Sequence, residues 1–537
     1  DKSYLSTLHE KGMQYSEEGG FGGEASIQTT GRFEYLLENI VTINKDIGGA
    51  HSFNTTLLQG INERRYERLT TTSRNFNNDI LGYDGIGSGT VLLAPVLSQN
   101  MRRMVSFMGR VRYDFRKKYL ITLTGRLDGS SVFSSTNKYG FFPSAAFAWK
   151  IHEESFMKAI EPVDNLKLRL SYGSIGNEAI RPYQTQALTQ QRPYTYGNGA
   201  TLVGYLPGRN DFPNTDLRWE TSTTLNTAID LGLFNGRVSG TFEYYISNTT
   251  DLLIDRLVPS ATGYSKVLTN LGKVQNRGIE LYLNAYMISR TNLSWSANFS
   301  FSRNKNEIIE ATVDKEGNPV DDVSNRWFIG YPINVSYRYA FGGIWQMDED
   351  NALMPGTKPG EIKLKDIDGD GEITPEGDRQ ITILDPSWIG SFGTNLRLWG
   401  FDLDAMFDFK KGGVRDNNLL WNGNYGAFKP VYNALKQPYW TPENPINTHP
   451  RPYFDRVQDY KSVLGLQDAS YFRLRTLTLG YNFPASLSGR IGITRLRVYL
   501  RGTNLLTITE YQSYGPELNA RQYPEGKIYS FGLNVSF

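Results

Sequence analysis

The last ten residues, Ile528 to Phe537, alternate without a break. Tyr529, Phe531, Leu533, Val535 and Phe537 are apolar, and Ser530, Gly532, Asn534 and Ser536 between them are small or polar. Successive side chains of a strand point to opposite faces, so the pattern predicts a strand with one greasy and one polar face. The same period places Val105, Phe107, Val111, Tyr113 and Phe115 opposite Ser106, Arg110, Arg112 and Asp114. It places Phe401, Leu403, Ala405, Phe407 and Phe409 opposite Asp402, Asp404, Asp408 and Lys410. A soluble sandwich with one face in its core would alternate too. Three features point instead to an all-β transmembrane antiparallel barrel. The alternating segments are about twice as long as ordinary globular strands of ~5–6 residues. Charges occupy the face opposite the greasy one, as around a water-filled lumen. Aromatic residues gather at strand ends, as in Tyr481 with Phe483 and Trp399 with Phe401, like an interfacial girdle.

The connections sort into two kinds. Short ones fall near Gly48, Arg116, Phe234, Ser289 and Trp399, with two somewhat longer turns near 153–164 and 484–494. Long ones fall near 69–101, 178–216, 305–387 and 412–469. Short and long alternate along the chain, as periplasmic turns and extracellular loops do in outer-membrane barrels. The stretches 305–387, which carries an Asp-rich segment, and 412–469 are therefore expected to be large extracellular loops.

Strands are expected near 30–45, 51–66, 104–115, 119–128, 141–152, 165–176, 218–232, 236–252, 273–289, 292–304, 388–399, 401–411, 471–483, 495–507 and 528–537. That makes about fifteen, an odd number, whereas bacterial single-chain barrels close with an even one. The expectation is a chain that lacks its N-terminal portion. It opens on Asp1 rather than Met, which fits processing or truncation. Ile333 to Gln346 is read as room for a further pair of strands at most. No apolar run of 18 or more residues is present, so no transmembrane helix is expected.

With a barrel argued, several stretches resemble the SusC-like TonB-dependent transporters (the SusC/RagA family) of Bacteroidetes outer membranes. They are LTGRLDGSSVFSSTNKYGFFPSAAFAWKIHEESF from Leu123, NLKLRLSYGSIGNEAI from Asn165 and NRGIELYLNA from Asn276. Further on come GEIKLKDIDGDGEITPEGDRQITIL from Gly360, ASYFRLRTLTLGYNFP from Ala469 and YLRGTNLLTITEYQSYGPELN from Tyr499. The resemblance implies that residues 1–537 are the C-terminal part of a 22-stranded barrel. An N-terminal extension, a TonB-box region, a plug domain and about seven strands would precede it. It also implies import across the bacterial outer membrane, driven by TonB, with a SusD-like surface lipoprotein capturing an oligosaccharide or peptide. The barrel itself would sit in outer-membrane lipids. The final Phe537 resembles the signal read by the barrel-assembly machinery, although a strand that simply ends on a lipid-facing Phe would look the same.

The segment Lys365–Arg379, KDIDGDGEITPEGDR, looks like a calcium loop. Asp366, Asp368 and Asp370 hold positions one, three and five, Gly371 holds six, and Glu372 offers its carbonyl at seven. Position twelve is Gly377 rather than a bidentate Glu, and Asp378 follows it. The strand-like GEIKLK before it and Pro375 within it rule out the flanking helices of a calcium sensor. These five acidic residues are candidate ligands for Ca2+ in an extracellular loop; the alternative is a solvated Asp-Gly turn, which the same residues favour.

Composition removes other classes. There is no Cys, hence no disulfide framework and no thiolate metal site. A net charge of +2 and a pI of about 8.3 make no electrostatic case for nucleic acid. The four histidines, His9, His51, His152 and His449, are scattered. HEESF at His152 lacks the second histidine of a zinc protease, GIGSG at Gly85 lacks a nucleophile elbow, and GGFGG at Gly19 lacks a phosphate-holding helix. No enzyme is expected. Candidate substrate contacts are loop aromatics and amides, since aromatic faces stack on sugars and amides match hydroxyls. They are Trp421, Asn422, Asn424, Tyr425, Tyr439 and Trp440, with Tyr205 and Asn210 of an earlier loop as weaker choices; packing within the loop or against a partner is the competing role. The rival to a TonB-driven importer is a self-contained passive porin of fourteen or sixteen strands, and a soluble β-rich adhesin is a distant third.

Overall fold

A computed structural model describes residues 2–9, 24–76, 80–197, 201–208, 211–419, 437–452, 459–518 and 522–537. Strands take up 61% of the chain and helix 5%, so the all-β expectation holds. The long strands are β1 (Lys2–His9), β2 (Glu24–Ile47), β3 (His51–Arg74), β4 (Val96–Phe115), β5 (Tyr119–Ser130), β6 (Tyr139–Lys150), β7 (Val163–Asn177) and β8 (Glu220–Leu233). They continue with β9 (Val238–Thr250), β10 (Lys273–Arg290), β11 (Leu293–Glu310), β12 (Pro386–Leu398), β13 (Phe401–Gly412), β14 (Tyr471–Asn482), β15 (Arg495–Thr509) and β16 (Ile528–Ser536). Each of the fifteen segments marked by alternation is a strand. The strand β1 is additional, so the odd count does not stand among the described residues and the parity argument drawn from it falls. Ile333–Gln346 supplies two short strands, Val335–Tyr339 and Phe341–Ile344.

The chain divides into two compact units. One comprises Asp1–Phe147, Tyr172–Thr223 and Thr249–Leu271; the other comprises Ala148–Ser171, Thr224–Asn248 and Gly272–Phe537. In the first, β1 to β5 pair antiparallel in sequence order. Strands β2 and β3 are each 24 residues long, roughly 80 Å at ~3.4 Å per residue, far more than the ~30 Å of a bilayer core. Their connection is a tight turn with Gly48 and Gly49 at positive φ, the geometry that matches the twist of a hairpin.

In the second unit, β10 to β16 form an unbroken antiparallel run. Its register lines up rows of like side chains. Trp295, Leu396, Leu403, Leu479, Leu500 and Phe531 make one apolar row across six strands. Leu479, Leu500 and Phe531 in it are 49, 52 and 77% exposed, an apolar band open on the outside of the protein chain. On the opposite face the same strands carry Ser296, Asn395, Asp404, Thr478, Arg501 and Ser530.

Away from the tight turns, the long connections fold into two modules with cores of their own. In the first unit Val132, Phe133, Phe142, Ile180, Leu217, Trp219 and Leu268 pack together. Trp219 stands 5.2 Å from Phe133 and 5.5 Å from Phe142, and its indole N–H donates to the Lys138 carbonyl at 3.1 Å. The Phe142 ring lies against the backbone of Gly176, where an added Cβ would come within 2.1 Å of it. In the second unit the two longest loops interlock. Residues 335–339 pair with 379–383, 341–344 with 362–364, and 414–416 with 466–468. Between them Ile344, Trp345, Met354, Ile362, Leu364, Trp440 and Val463 form one core.

Replacing Gly176 by Ala is expected to overpack the first core by about 1–3 kcal/mol. Limited proteolysis of outer-membrane preparations checks this. Cleavage within 178–216 should rise several-fold while the sheet keeps its resistance to heat in detergent; unchanged cleavage means the contact does not hold the module.

Candidate functional site

The Asp-rich loop leaves the 362–364 strand and turns back toward 379–383. Gly369 and Gly371 both have positive φ, +77° and +85°, which wraps the chain around the carboxylates. Asp366 accepts the N–H of Gly369 at 2.7 Å on one oxygen and that of Gly371 at 3.0 Å on the other. Asp370 accepts the N–H of Glu372 at 2.9 Å. One oxygen each from Asp366, Asp368 and Asp370 lies within 4.8 Å of the others. Asp368 points at Gly377, where any Cβ would come within 2.2 Å of its carboxylate. Desolvation, and then the neighbouring charges of Asp370, Asp378 and Asp366, push the Asp368 carboxyl above its ordinary value.

The carboxylates of the other two acids named here stand apart from the triad, and for Glu372 the expected ligand is its backbone carbonyl. Asp378 is fully buried, and its two oxygens accept the N–H groups of Ile367 and Thr374, both at 2.7 Å. It staples the two ends of the loop together. The Glu372 side chain stands exposed outside the cluster.

Of the aromatic and amide candidates, Trp421, Asn422, Asn424, Tyr425 and Asn210 lie outside the described residues. Trp440 is corrected to a core residue. It is only 4% exposed, lies over Gly360 at positive φ, and donates its indole N–H to the Gln346 amide oxygen at 2.9 Å. Tyr439 beside it is half-exposed and edges an apolar groove of about 530 Å³ with Met347, Pro359 and Pro442. Tyr205 projects from a separate hairpin, Thr189–Thr195 with Thr201–Pro207, and accepts a hydrogen bond from Gln191 at 3.3 Å. Tyr439 and Tyr205 are therefore the described candidates that present a ring to a ligand. Phe537 follows the last strand and is 90% exposed.

One residue that the sequence did not single out ties the outer module to the polar face. Glu517, in the connection after β15, accepts the Tyr471 hydroxyl at 2.8 Å on one oxygen and the Arg473 guanidinium at 2.8 Å on the other. Its carbonyl accepts Arg415 at 2.8 Å, and the adjoining Asp416 pairs with Arg338 of the loop module at 2.8 Å. Arg473 is buried, and Asp408 and Glu525 stand 3.8 and 3.9 Å from it. Burial works against the Glu517 charge, but the hydrogen bonds from Tyr471 and Arg473 and the nearby cations outweigh it and hold the carboxyl below the ordinary range.

Long alternating antiparallel strands, with an apolar band on one face, charges on the other and long connections that fold into modules of their own, are the pattern of an outer-membrane β-barrel. The family model for the TonB dependent receptor-like beta-barrel matches residues 3–505, and the chain belongs to that family. It is 33% identical to TonB-dependent receptor P3 of Formosa agariphila over 96% of the chain and 54% of that protein. Against TonB-dependent receptor SusC of Bacteroides thetaiotaomicron it is 29% identical over 81% of the chain and 44% of that protein. The structure of the RagAB peptide transporter matches all of the chain and 59% of its own, with a TM-score of 0.81 at 26% identity. The chain thus spans about half the length of the curated relatives it matches. The relatives are receptors and transporters, not enzymes. The charged face of the strands is accordingly the lumen face, and the apolar band meets lipid.

Glu517→Gln is expected to loosen the connection 510–518 while leaving the strands intact, because the amide keeps one hydrogen bond but loses the ion pair. Hydrogen exchange of that segment should rise about tenfold, the equivalent of roughly 1.4 kcal/mol. In the parent the same loosening should appear as pH falls through the lowered Glu517 value, below its ordinary 4.5, and be absent at neutral pH. Equal exchange in both proteins across that range removes Glu517 as the tie.

Proposed function

We propose that this chain is the C-terminal barrel portion of an importer that carries a bulky nutrient, an oligosaccharide or peptide, across the outer membrane. TonB supplies the energy and a SusD-like lipoprotein captures the cargo outside. The observation that carries this reading is the likeness to the RagAB peptide transporter over the whole chain, outer modules included. A simple porin of fourteen or sixteen strands has no use for two loop modules with separate cores, whereas a lid protein needs a firm surface to rest on. The exposed Tyr439 and Tyr205 rings suit a cargo with sugar or aromatic faces.

The full-length transporter, purified in detergent from native outer membranes, should bring a lipoprotein with it. Growth on the cargo should stop when TonB is deleted. Growth that survives without TonB, together with a transporter that purifies alone, returns the passive porin to first place.

The Asp366, Asp368 and Asp370 triad belongs to this reading as a Ca2+ site that stiffens the outer loop. The full-length protein should show terbium luminescence that added Ca2+ displaces and that Asp366→Asn with Asp370→Asn abolishes. Because the Asp368 carboxyl is raised, a cation competes with its proton at a higher pH than it would at an ordinary Asp. The signal should fall as pH drops, sooner than an isolated Asp would allow. A signal equal in parent and double variant assigns the triad to a plain solvated turn.

A further inference from the structure

The turn between β4 and β5 is made of residues that its shape disfavours. A tight hairpin whose two central residues take positive φ favours Asn-Gly. Here Arg116 and Lys117 take it, at +53° and +56°. Side chains of this kind hold that conformation under strain, so the pair calls for a role of the side chains themselves. The Arg116 guanidinium lies over the Phe115 ring, 5.1 Å from its centre. Register sets Phe115 beside His51 and Tyr119, and in the next row sets Lys45, Phe53, Tyr113 and Ile121 side by side. The Phe53 and Tyr113 rings are 4.8 Å apart, and His51 Nδ1 is 2.7 Å from the Tyr113 hydroxyl. These rows continue the apolar face of Phe107 and Val111, so they form an aromatic girdle at the lipid interface. Asp46 and Asp114, the acids of the row between, fall on the opposite face. The lipid side of the girdle therefore carries Lys45, Arg116 and Lys117 with no acid in the same rows.

Deeper in the membrane the same face is hollowed. Gly109 of β4 pairs with Gly125 of β5 on one side and with Leu57 of β3 on the other. Above the two glycines, Leu57, Phe107, Leu127 and Phe141 border an apolar groove of about 530 Å³. A Cβ on Gly125 would come within 3.3 Å of the Phe141 ring, whereas one on Gly109 would meet only Leu57, at 3.8 Å. Gly109 lies six residues from Phe115, roughly 20 Å along the strand, or roughly 14 Å of depth at a tilt of ~45°. That is about half of a ~30 Å hydrocarbon core, the reach of an acyl chain whose headgroup sits at the turn. Toward the other membrane surface the groove closes on Asn39 and Gln59, whose amides hydrogen-bond at 2.8 Å. Beyond them Glu63 takes both Arg65 and Arg103, so the uncompensated cations stand at the turn end. Strands β3 and β4 each have both neighbours in this chain, and the groove is on their lipid side. Neither a domain inside the lumen nor a further barrel strand can fill it.

We propose that this face holds one acidic phospholipid of the periplasmic leaflet. One acyl chain lies in the Gly109–Gly125 groove, and the phosphate meets Lys45, Arg116 and Lys117. The site depends on the barrel and its membrane, not on what the importer carries.

The test is native mass spectrometry of the full-length transporter, stripped of lipid in detergent and then offered phosphatidylglycerol or phosphatidylcholine with the same acyl chains. Phosphatidylglycerol should bind about tenfold more tightly, since each basic residue near a membrane surface adds roughly fivefold toward an acidic lipid. Gly109→Leu, which fills the groove, should weaken that binding about tenfold. Arg116→Asn with Lys117→Gly, which supplies the favoured turn residues, should abolish the preference for phosphatidylglycerol while making the sheet more resistant to heat. Unchanged heat-modifiability on gels shows that Gly109→Leu folds.

Equal binding of the two lipids by the parent overturns the proposal. A preference that survives the turn variant puts the phosphate elsewhere and overturns it too. So does a Gly109→Leu protein that binds phosphatidylglycerol normally, since the groove then has no part in it. Loss of co-purifying lipopolysaccharide rather than phospholipid from the Gly109→Leu protein assigns the groove to the outer leaflet instead.

Discussion

A backbone that enters hydrocarbon must satisfy its own N–H and C=O groups, and in this chain it does so strand against strand. The requirement explains the rest of the architecture. Pairing every strand fixes register, and register divides each strand into one face for lipid and one for water. Leu479, Leu500 and Phe531 fall on the first, and Asp404, Thr478 and Arg501 on the second. The short turns then need backbone shapes that suit the twist. Gly48, Gly49 and Gly400 supply positive φ without cost, and Arg116, Lys117 and Trp399 adopt it as side-chain-bearing residues. Ladder and turns thus leave the long connections as the place where each module builds a core from non-repeating sequence.

Those modules are packed objects, not fringes. The stretch GSSVFSSTNKYG, from Gly129, contributes Val132 and Phe133 to one core, and IGNEAI, from Ile175, contributes Ile180. Much of what makes these stretches resemble the family is therefore loop packing. In the second unit, Trp440 and its hydrogen-bond partner Gln346 lie 94 residues apart, on different loops. The two loops cannot be treated as independent contributors to a binding surface, because each supplies the floor of the other.

The strands were legible because a two-residue period is a local signal, carried by consecutive side chains such as Phe401 to Phe409. Their extent was less so. Strand β2 begins at Glu24, well before the alternating part, and the stretch around Gln28, Thr29 and Thr30 has no greasy face to mark it. Beyond the membrane, pairing continues with both faces wet, and the pattern fades. Strand β1 was missed for the same reason: Lys2 to His9 shows no clean alternation. The calcium-loop template found three converging carboxylates, but spacing could not reveal that Asp378 spends both oxygens on backbone amides. Trp440 failed as a surface candidate because its burial depends on Gly360 and on a distant loop. Glu517 stood inside a resembling stretch, yet its partners Arg473 and Arg415 become visible only in three dimensions.

The Asp402–Arg497 pair joins residues on two strands, β13 and β15, that do not hydrogen-bond to each other; it reaches across β14 over the bare backbone of Gly480. Three strands are therefore committed to one alignment by a single contact. A slip of β14 by two residues would keep every side chain on its proper face and every backbone bond made, so face and ladder alone do not forbid it. It would, however, put Thr478 or Asn482 where only a glycine fits. The pair therefore favours the register in which residues 402, 480 and 497 meet.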